Sequence, residues 1–328
     1  MIYGKITLED WRTACVEGEE PESSFESYNL RLFFFGTLYN RDTLQATPDD
    51  TNAKLAADAF LSDPAYGFSR LDGSFTIVYY SENECGVVRD HHGTHYPVYC
   101  HIDGNFATSW QFLEDQLEEN FEPNLVSLST FLQRGILKKN NFALFDVHSL
   151  GAGEKFYMLT ELGYLMPVWA SVKLETQANV HSMFDSLKER NPGLYEKVAD
   201  DIYCLKRDSV FEHEPKVATE RNPDVEAYSR RYGELHAQAI RRRIGDSRKV
   251  GILLSGGYDS GSNLAALRSI YDGQIDSYSV GFKGDAWTEL PMARLMSETF
   301  GTRHHEYEID GTETSALPDI VRFLGEPL

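Results

Sequence analysis

The sequence is poor in positive charge and in long apolar runs. It has 51 acidic and 31 basic residues among 328, which gives a formal charge of −20 at pH 7. This acidity repels phosphate backbones at long range, so we expect no nucleic-acid partner. No apolar run approaches the roughly 18 residues of a membrane span, and the start "MIYGKITLEDW" lacks the features of a secretory leader. We therefore expect a cytoplasmic protein without a membrane partner.

Cysteine is also scarce. The four cysteines, Cys15, Cys85, Cys100 and Cys204, show neither C-x-x-C spacing nor the density of a secreted disulfide scaffold. We interpret them as reduced thiols, of which none lies at the amino terminus.

The chain has enough apolar residues for more than one core. Hydrophobic residues make up 41% and aromatic residues 12% of the sequence, and a length of 328 residues favours two domains. In residues 1–172, segments such as "YNLRLFFFGTLYN" and "LDGSFTIVYYSENECGVVRD" alternate β-branched or aromatic with polar residues, and "TNAKLAADAFLSD" has helical spacing. This pattern predicts antiparallel sheets with a few helices.

The rest of the chain has a different pattern. Residues 173–222 are charged and poorly periodic, which predicts an irregular or helical connector between domains. Residues 223–328 begin with the amphipathic segment "DVEAYSRRYGELHAQAIRRRIGD" and then alternate strand and helix patterns. Such alternation predicts a parallel sheet with crossover helices.

The stretch "VGILLSGGYDSGSN" joins a strand, a glycine turn and a helix. The aliphatic strand Val250 to Leu254 is typical of a central parallel strand buried on both faces, and ligands bind at the carboxyl ends of such strands. Gly256 and Gly257 allow a sharp turn and a close approach to a ligand, while the next helix points unpaired N–H groups to the same place. The pattern predicts an anion site.

Polar side chains in the turn support this interpretation. The hydroxyls of Ser255 and Ser260 are further donors, and the Asp259 carboxylate is suited to hold a divalent cation against phosphate oxygens. The alternative is an ordinary strand-to-helix turn in which Ser and Asp are helix caps. The full S-G-G-x-D-S spacing favours the anion site, although the turn lacks the lysine of the G-x-x-x-x-G-K-[ST] loop.

These motifs resemble a known family. "GILLSGGYDS" looks like the pyrophosphate-binding loop of ATP pyrophosphatases, and "SYSVGF", "TELPMARLMSETFGTRHHE" and "LPDIVRFLGEPL" look like asparagine synthetase. "LDGSFTIVYY" and "RDHHGTHYPVY" are similar to the glutaminase domain of that family. The resemblance implies an α/β protein: an N-terminal-nucleophile (Ntn), class II amidotransferase-type αββα sandwich, then an α-hydrolase-like PP-loop domain with a parallel sheet.

The resemblance also implies a reaction. In the family a carboxylate attacks the α-phosphorus of ATP, magnesium pyrophosphate leaves, and an amine displaces AMP to form an amide. ATP and Mg²⁺ would be the cofactors. By similarity, the pyrophosphate would lie against Ser255, Gly256, Gly257, Asp259 and Ser260, with Asp259 also a magnesium ligand, and Leu254 and Val280 would contact adenine through their backbones.

The first half departs from the family at two points. The family's glutaminase nucleophile is an amino-terminal Cys, whereas here Met1 is followed by Ile2. An Asn-Gly-Glu turn supplies the family's oxyanion hole, whereas this chain has Phe35 at the start of "FGT". Cys15 is internal and has no free α-amine to act as base. We therefore expect this domain not to hydrolyse glutamine.

Two alternatives to asparagine synthesis stay open. Relatives with degenerate glutaminase domains close β-lactams or cyclise lasso peptides with an amine of the substrate itself, which would make this chain a specialised amide ligase. A non-catalytic pseudoenzyme that binds ATP is the other alternative.

The carboxyl-terminal part also departs from the family. It has room for about three strand–helix units after Asp246, while the family continues beyond "GEPL", so we expect a partial synthetase domain with uncovered apolar faces. Arg294, Arg303 and Arg322 supply positive charge, but their helical contexts point them to solvent as readily as to the site. The expected partners are a carboxylate, an amine or ammonia donor, and either a chain that supplies the remaining half or a second copy in a homodimer.

Overall fold

A computed structural model describes residues 1–7, 10–64, 66–101, 104–117, 147–159, 204–209, 224–284 and 288–324, with the single residues 125, 129 and 132. The chain divides into two compact units. The first unit comprises Met1–Glu214 with Val321–Leu328, and the second comprises Pro215–Ile320.

The first unit is built on two antiparallel sheets. Its strands are β1 (Ile2–Lys5), β2 (Val16–Gly18), β3 (Ser23–Glu26), β4 (Leu30–Leu38), β5 (Gly73–Ser81), β6 (Glu84–Arg89), β7 (Tyr99–His101), β8 (Asn105–Ala107), β9 (Val147–Ser149), β10 (Glu154–Leu159) and β11 (Cys204–Ser209). The helices are α1 (Asn52–Ser62) and α2 (Trp110–Leu117), with a 3₁₀ turn at Gly67–Arg70. The sheet orders are β2-β1-β8-β7-β9 and β11-β10-β6-β5-β4-β3.

Three apolar clusters place these elements in four layers. Ile2 and Phe106 of the five-stranded sheet pack with Phe35 and Val78 of the six-stranded sheet. The outer face of the six-stranded sheet packs against α1, and that of the five-stranded sheet packs against α2. The described part of the first unit therefore has the helix–sheet–sheet–helix order that the family resemblance implies.

The side chains of β4 and β5 point alternately to the two faces of their sheet, so this one sheet contributes to two apolar cores. Phe34 and Ile77 face α1, while their neighbours Phe35 and Val78 face the other sheet. Successive strand side chains point to opposite faces, so continuous apolar runs mark strands that are covered on both sides. Helix α1 begins after Thr51, whose hydroxyl accepts the Lys54 N–H at 3.1 Å.

Strand β11 lies within the segment for which the sequence predicts a connector. Residues 204–209 pair antiparallel with β10 at the edge of the six-stranded sheet. Their sequence, CLKRDS, is polar. Edge strands often carry charged residues. The composition of this strand is therefore the same as that of a linker. The rest of the predicted connector lies outside the described residues, and its two boundaries stay a prediction.

The second unit has a three-stranded parallel sheet, and the parallel sheet with crossover helices predicted from the alternation is confirmed. Its elements are α3 (Val225–Ile244), β12 (Val250–Leu253), α4 (Tyr258–Ile270), β13 (Ile275–Phe282), α5 (Leu290–Phe300) and β14 (Arg303–Ile309), followed by a 3₁₀ turn at Thr312–Ala316 and α6 (Leu317–Leu324), of which Leu317–Ile320 belong to this unit. The strand order is β12-β13-β14, with Val250 opposite Ile275 and Asp276 opposite Arg303.

Helices cover only one face of this sheet in the described structure. Leu264 and Leu267 of α4 and Ala293 of α5 pack on Val250 and Ile275. Side chains of β13 are alternately buried and exposed. The prediction that the strand from Val250 is buried on both faces is therefore wrong for the described residues, because both crossover helices lie on the same face.

The helices differ in length and polarity, and both properties bear on membrane insertion. Among the described helices, none is both long and apolar enough to cross a bilayer.

Candidate nucleotide site

The turn after β12 has a backbone shape that favours glycine. Gly256 has a φ of +91°, and a Cβ at this position would lie 2.7 Å from the carbonyl oxygen of Glu289. A side chain would meet both backbone strain and a steric clash. The turn between β12 and α4 therefore packs directly against the residue that precedes α5.

Two serines fix the shape of the turn. The Oγ atoms of Ser255 and Ser260 are 2.9 Å apart, and the Ser255 N–H donates to the Ser260 Oγ at 3.1 Å. The Gly257 N–H donates to the Ser255 Oγ at 3.2 Å. The sequence predicts both hydroxyls as ligand donors, and the structure brings them together as partners of each other.

The first turn of α4 has no side-chain cap. Gly257 is the N-cap residue and has no side chain to accept the N–H groups of the first turn, while its carbonyl accepts the Gly261 N–H at 3.0 Å. The N–H groups of Tyr258, Asp259 and Ser260 have no acceptor in the described part of the chain. Unpaired N–H groups and the positive end of the helix dipole form a place suited to an anion.

Asp259 is exposed at the start of this helix. The described residues hold no group of three or more His, Cys, Asp or Glu side chains arranged around a metal. A cation at this turn would therefore take Asp259 as its protein ligand and complete its coordination with phosphate oxygens and water, which suits magnesium.

The two residues predicted to contact adenine differ in exposure. Leu254 is buried, its N–H donates to the Tyr278 carbonyl at 2.8 Å, and its carbonyl accepts from the Ser279 hydroxyl. Val280 has its side chain on the exposed side of β13. The Leu254 carbonyl has a second lone pair and therefore has capacity for a further hydrogen bond.

The two described arginines of α5 and β14 are held by carboxylates. Arg294 donates to both carboxylate oxygens of Glu306 at 2.6 and 2.7 Å, and Arg303 pairs with Asp276. Hydrogen bonds from Arg303 and His305 lower the pKa of Asp276 to about 2. The side chain of Arg322 lies outside the described residues.

Known proteins share this part of the chain. The asparagine synthase family profile matches residues 231–328. A Mycobacterium tuberculosis protein named as a glutamine-hydrolyzing asparagine synthetase is 31% identical over 102 residues, which are 30% of this chain and 16% of the relative. A Methanocaldococcus jannaschii protein with a similar name is 33% identical over 82 residues, 25% of this chain and 16% of the relative.

Through residues 231–328, the chain is similar to the asparagine synthase family. The matched region spans less than a fifth of the relatives' length and contains the whole S-G-G-x-D-S turn. The unit with the uncapped helix α4 is thus the part of this chain that the asparagine synthetases share.

Solved structures give weaker likenesses that extend over the first unit. The glutamine phosphoribosylpyrophosphate amidotransferase of B. subtilis, solved with ADP and GMP, has a TM-score of 0.29 at 12% identity. The superposition covers 87% of this chain and 47% of the amidotransferase chain. An allosteric regulatory enzyme of purine biosynthesis has a TM-score of 0.30 at 11% identity, and the superposition covers 93% of this chain and 70% of the enzyme chain. Neither superposition is close enough to assign a fold.

Apolar side chains take the two places at which the sequence departs from the glutaminase motif that it resembles. Ile2 and Phe35 are both buried in the cluster between the two sheets of the first unit. Gly36 lies within β4 and has a φ of +107°, and a Cβ there would lie 2.2 Å from the Ser74 carbonyl, so this strand position favours glycine. The FGT segment is therefore part of a strand and not a turn, and Phe35 provides no side-chain donor there.

A polar cluster next to Gly36 was not predicted from the sequence. The amino group of Met1 lies 3.4 Å from the Glu19 carboxylate, and a 2.9 Å hydrogen bond joins His95 Nδ1 to Thr76 Oγ1. Burial is the main effect that lowers the pKa of His95. Only the folded sheets bring these four residues near one another, so their spacing along the chain carries no signal.

Proposed function

We propose that this chain is an ATP-dependent amide ligase of the cytoplasm, which activates a carboxylate as an acyl-adenylate and transfers the acyl group to an amine. The observation that carries this proposal is the uncapped start of α4 directly after the Gly256 turn, in the unit that matches the asparagine synthase family. Such a turn fits a pyrophosphate group, which is the leaving group in adenylation.

The residues of the turn would bind different parts of the nucleotide and its metal. The N–H groups of Tyr258, Asp259 and Ser260 would bind pyrophosphate oxygens, and the fixed geometry at Gly256 would hold these donors in place. Leu254 and Val280 would contact the adenine through their backbones. Magnesium, when bound, would offset the charge that builds up on the departing phosphates, and Asp259 would be its ligand.

The amine donor would not be ammonia released from glutamine by this chain. Ile2 and Phe35 bury apolar side chains where the family places a nucleophile and an oxyanion donor. This observation favours a ligase that takes its amine from solution or from the substrate itself, as in a β-lactam or lasso-peptide type of cyclisation.

A second candidate is ATP binding without turnover by the chain alone. It is favoured by the pairing of Arg294 and Arg303 with carboxylates, because neither guanidinium is then available for the α-phosphate or the acyl group. Turnover would then need a further polypeptide that contributes the remaining charges, so the two candidates predict different results for the chain alone.

The nucleotide role is tested by ATP binding with and without magnesium. We expect Asp259→Asn to weaken binding about tenfold in magnesium, the equivalent of roughly 1.4 kcal/mol, and to change binding without magnesium much less. Asp272→Asn, an exposed carboxylate beyond the other end of α4, is the matched control and should match wild type. Equal affinity of wild type and Asp259→Asn in both conditions would remove Asp259 as a metal ligand.

The catalytic role is tested by exchange of labelled pyrophosphate into ATP. We expect no exchange by the chain alone with aspartate or another simple carboxylate, and recovery of exchange when a polypeptide that completes the synthetase domain is added. An assay of ammonia release from glutamine should also be negative. Ammonia release, or attachment of a thiol-trapping glutamine analogue to Cys15, would contradict the proposal for the first unit.

A further inference from the structure

A groove lies on the outer face of the five-stranded sheet, beside helix α2. Its floor is formed by residues of β1, β8, β2 and the segment that leads into β2, and its wall is formed by Phe112 and Leu113 of α2. The groove has a volume of about 320 Å³, which is at the lower end of the range for small-molecule sites. We call it the α2 groove.

The α2 groove is separate from the two positions at which the sequence departs from the glutaminase motif. Ile2 and Phe35 are buried between the two sheets. Tyr3, the next residue along β1, packs instead in the cluster that joins the five-stranded sheet to α2. Successive residues of a strand point to opposite faces, so the groove and the position of the family's glutaminase nucleophile lie on opposite sides of β1.

The floor of the groove has one positive and one negative side chain. Lys5 of β1 lies opposite Asn105 of β8. Glu17 of β2 lies opposite Tyr3, two residues before Lys5, and both charged side chains line the groove. Diagonal positions on neighbouring strands are within reach of long side chains. In the described part of the chain, however, Lys5 and Glu17 form no ion pair with each other.

The two charges differ in what already holds them. The Tyr3 hydroxyl donates to Glu17 Oε2 at 2.9 Å, which fixes the carboxylate and leaves it capacity for a further donor. The Lys5 ammonium carries three N–H donors and has no acceptor among the residues that the structure describes. The groove therefore presents a free cationic donor and an oriented anionic acceptor on neighbouring strands.

An apolar surface lies beside these charges. The rings of Tyr3 and Phe112 have centroids 4.2 Å apart, and Leu113 and Ala107 are buried next to them. Phe112 is only partly buried, so part of its ring is available to a ligand. Most small-molecule sites combine such an apolar wall with a few polar groups that orient the ligand.

We propose that the α2 groove binds a small zwitterion, an α-amino acid with an apolar side chain. Its carboxylate would pair with Lys5, its ammonium with Glu17, and its side chain would lie against Phe112. A ligand with only a carboxylate would meet Glu17 as a like charge, and a ligand with only an amine would meet Lys5 in the same way, so the pair favours a ligand that carries both charges. The proposal depends neither on ATP binding nor on glutamine hydrolysis.

Titration of the full chain with L-phenylalanine tests the ligand class. We expect saturable binding by calorimetry. Binding of 3-phenylpropionate, which lacks the ammonium, and of phenethylamine, which lacks the carboxylate, should each be weaker by about tenfold or more. Equal affinity for all three would show a nonspecific apolar contact, and absence of L-phenylalanine binding would overturn the proposal.

Charge variants test where the ligand binds. Lys5→Gln and Glu17→Gln should each weaken L-phenylalanine binding by about tenfold, because each removes one charge-assisted interaction. Lys54→Gln is the matched control, since its ammonium pairs with Asp58 on α1, and it should bind as wild type does. A chain with both Lys5→Glu and Glu17→Lys should bind more tightly than either single Gln variant. Wild-type affinity in both single variants would overturn the proposal.

Cys15 provides a readout that needs no substitution. Its thiol lines the groove and is exposed, whereas Cys85 and Cys100 are buried. With L-phenylalanine at about ten times its Kd, alkylation of Cys15 by iodoacetamide should slow by about tenfold, as measured by peptide mass spectrometry. The same concentration should protect Cys15 much less in Glu17→Gln. An unchanged rate in wild type at saturating L-phenylalanine would place the ligand outside the α2 groove and overturn the proposal.

Discussion

The two units use β-sheets in opposite ways. In the first unit, Phe34 and Phe35 of a single strand lie in two different cores, so both faces of the six-stranded sheet are covered. In the second unit, β13 buries Ile275 on one face and exposes Phe282 on the other. An apolar strand pattern therefore favours a sheet with two covered faces but does not specify which element covers each of them.

Truncation of a phenylalanine should give the largest contrast between the units. Phe34 is fully buried and packs on Phe75 with ring centroids 5.3 Å apart. We expect Phe34→Ala to destabilise the first unit by about 3–5 kcal/mol, and Phe282→Ala to change the second unit by less than about 0.5 kcal/mol. Denaturant-dependent hydrogen exchange at β5 and β13 measures each unit separately, and similar losses for both variants would contradict the contrast.

Breaking an ion pair should also destabilise the first unit more than the second. The Lys155 ammonium lies 2.8 Å from the Glu84 carboxylate with both side chains almost fully buried, whereas Arg294 and Glu306 are partly exposed. We expect Lys155→Met to cost about 3–5 kcal/mol because a carboxylate is left buried without its cation.

The surface counterpart, Arg294→Met, should cost much less, because solvent screens this exposed pair. Both variants can be compared by chemical denaturation at constant ionic strength. A loss for Lys155→Met no larger than that for Arg294→Met would show that burial does not decide the effect.

A glycine pair within the second unit sharpens the comparison at the candidate site. Gly256 has a φ of +91°, so we expect Gly256→Ala to cost about 1–3 kcal/mol and to weaken ATP binding. Gly233 lies inside α3, where an added Cβ would meet no atom of the described residues within 4 Å, so Gly233→Ala should stabilise the unit by up to about 1 kcal/mol. Thermal unfolding and ATP titration check both variants, and loss of binding in Gly233→Ala would contradict a local role.

The smallest effect concerns pH. Arg303 and His305 lower the pKa of Asp276 to about 2, below its unfolded value of about 3.9. The stabilising contribution of this carboxylate is therefore present above the unfolded pKa and is lost as pH falls toward 2. Titration of the Asp276 carboxyl by NMR should give a low midpoint that rises in Arg303→Gln, and an unchanged midpoint would show that the pair does not form in solution.

Local patterns predicted much of the second unit. The strand at Val250, the glycine turn and the crossover helices are where the sequence places them, because alternation, glycine and helical spacing act over a few residues. Helix α4 begins at Tyr258, earlier than the apolar spacing suggests, so that Asp259 and Ser260 lie in its first turn. The ligand roles of these residues stay predictions.

Long-range arrangements were not predictable in the same way. The charged composition of residues 204–209 is that of a linker, yet they form an edge strand, because pairing with β10 depends on backbone groups that every residue carries. The pairing of Arg294 with Glu306 and of Arg303 with Asp276 likewise depends on the parallel register.

The sequence by itself determined the acidic character, the alternation that separates an antiparallel from a parallel region, and the S-G-G-x-D-S turn, since each depends on composition or on neighbours along the chain. Only the tertiary structure decided that Ile2 and Phe35 share one core, that Ser255 and Ser260 bond to each other, and that one face of the parallel sheet is open. The physical reason is that burial depends on which elements meet, and a strand with apolar residues on both sides is compatible with any partner that covers them.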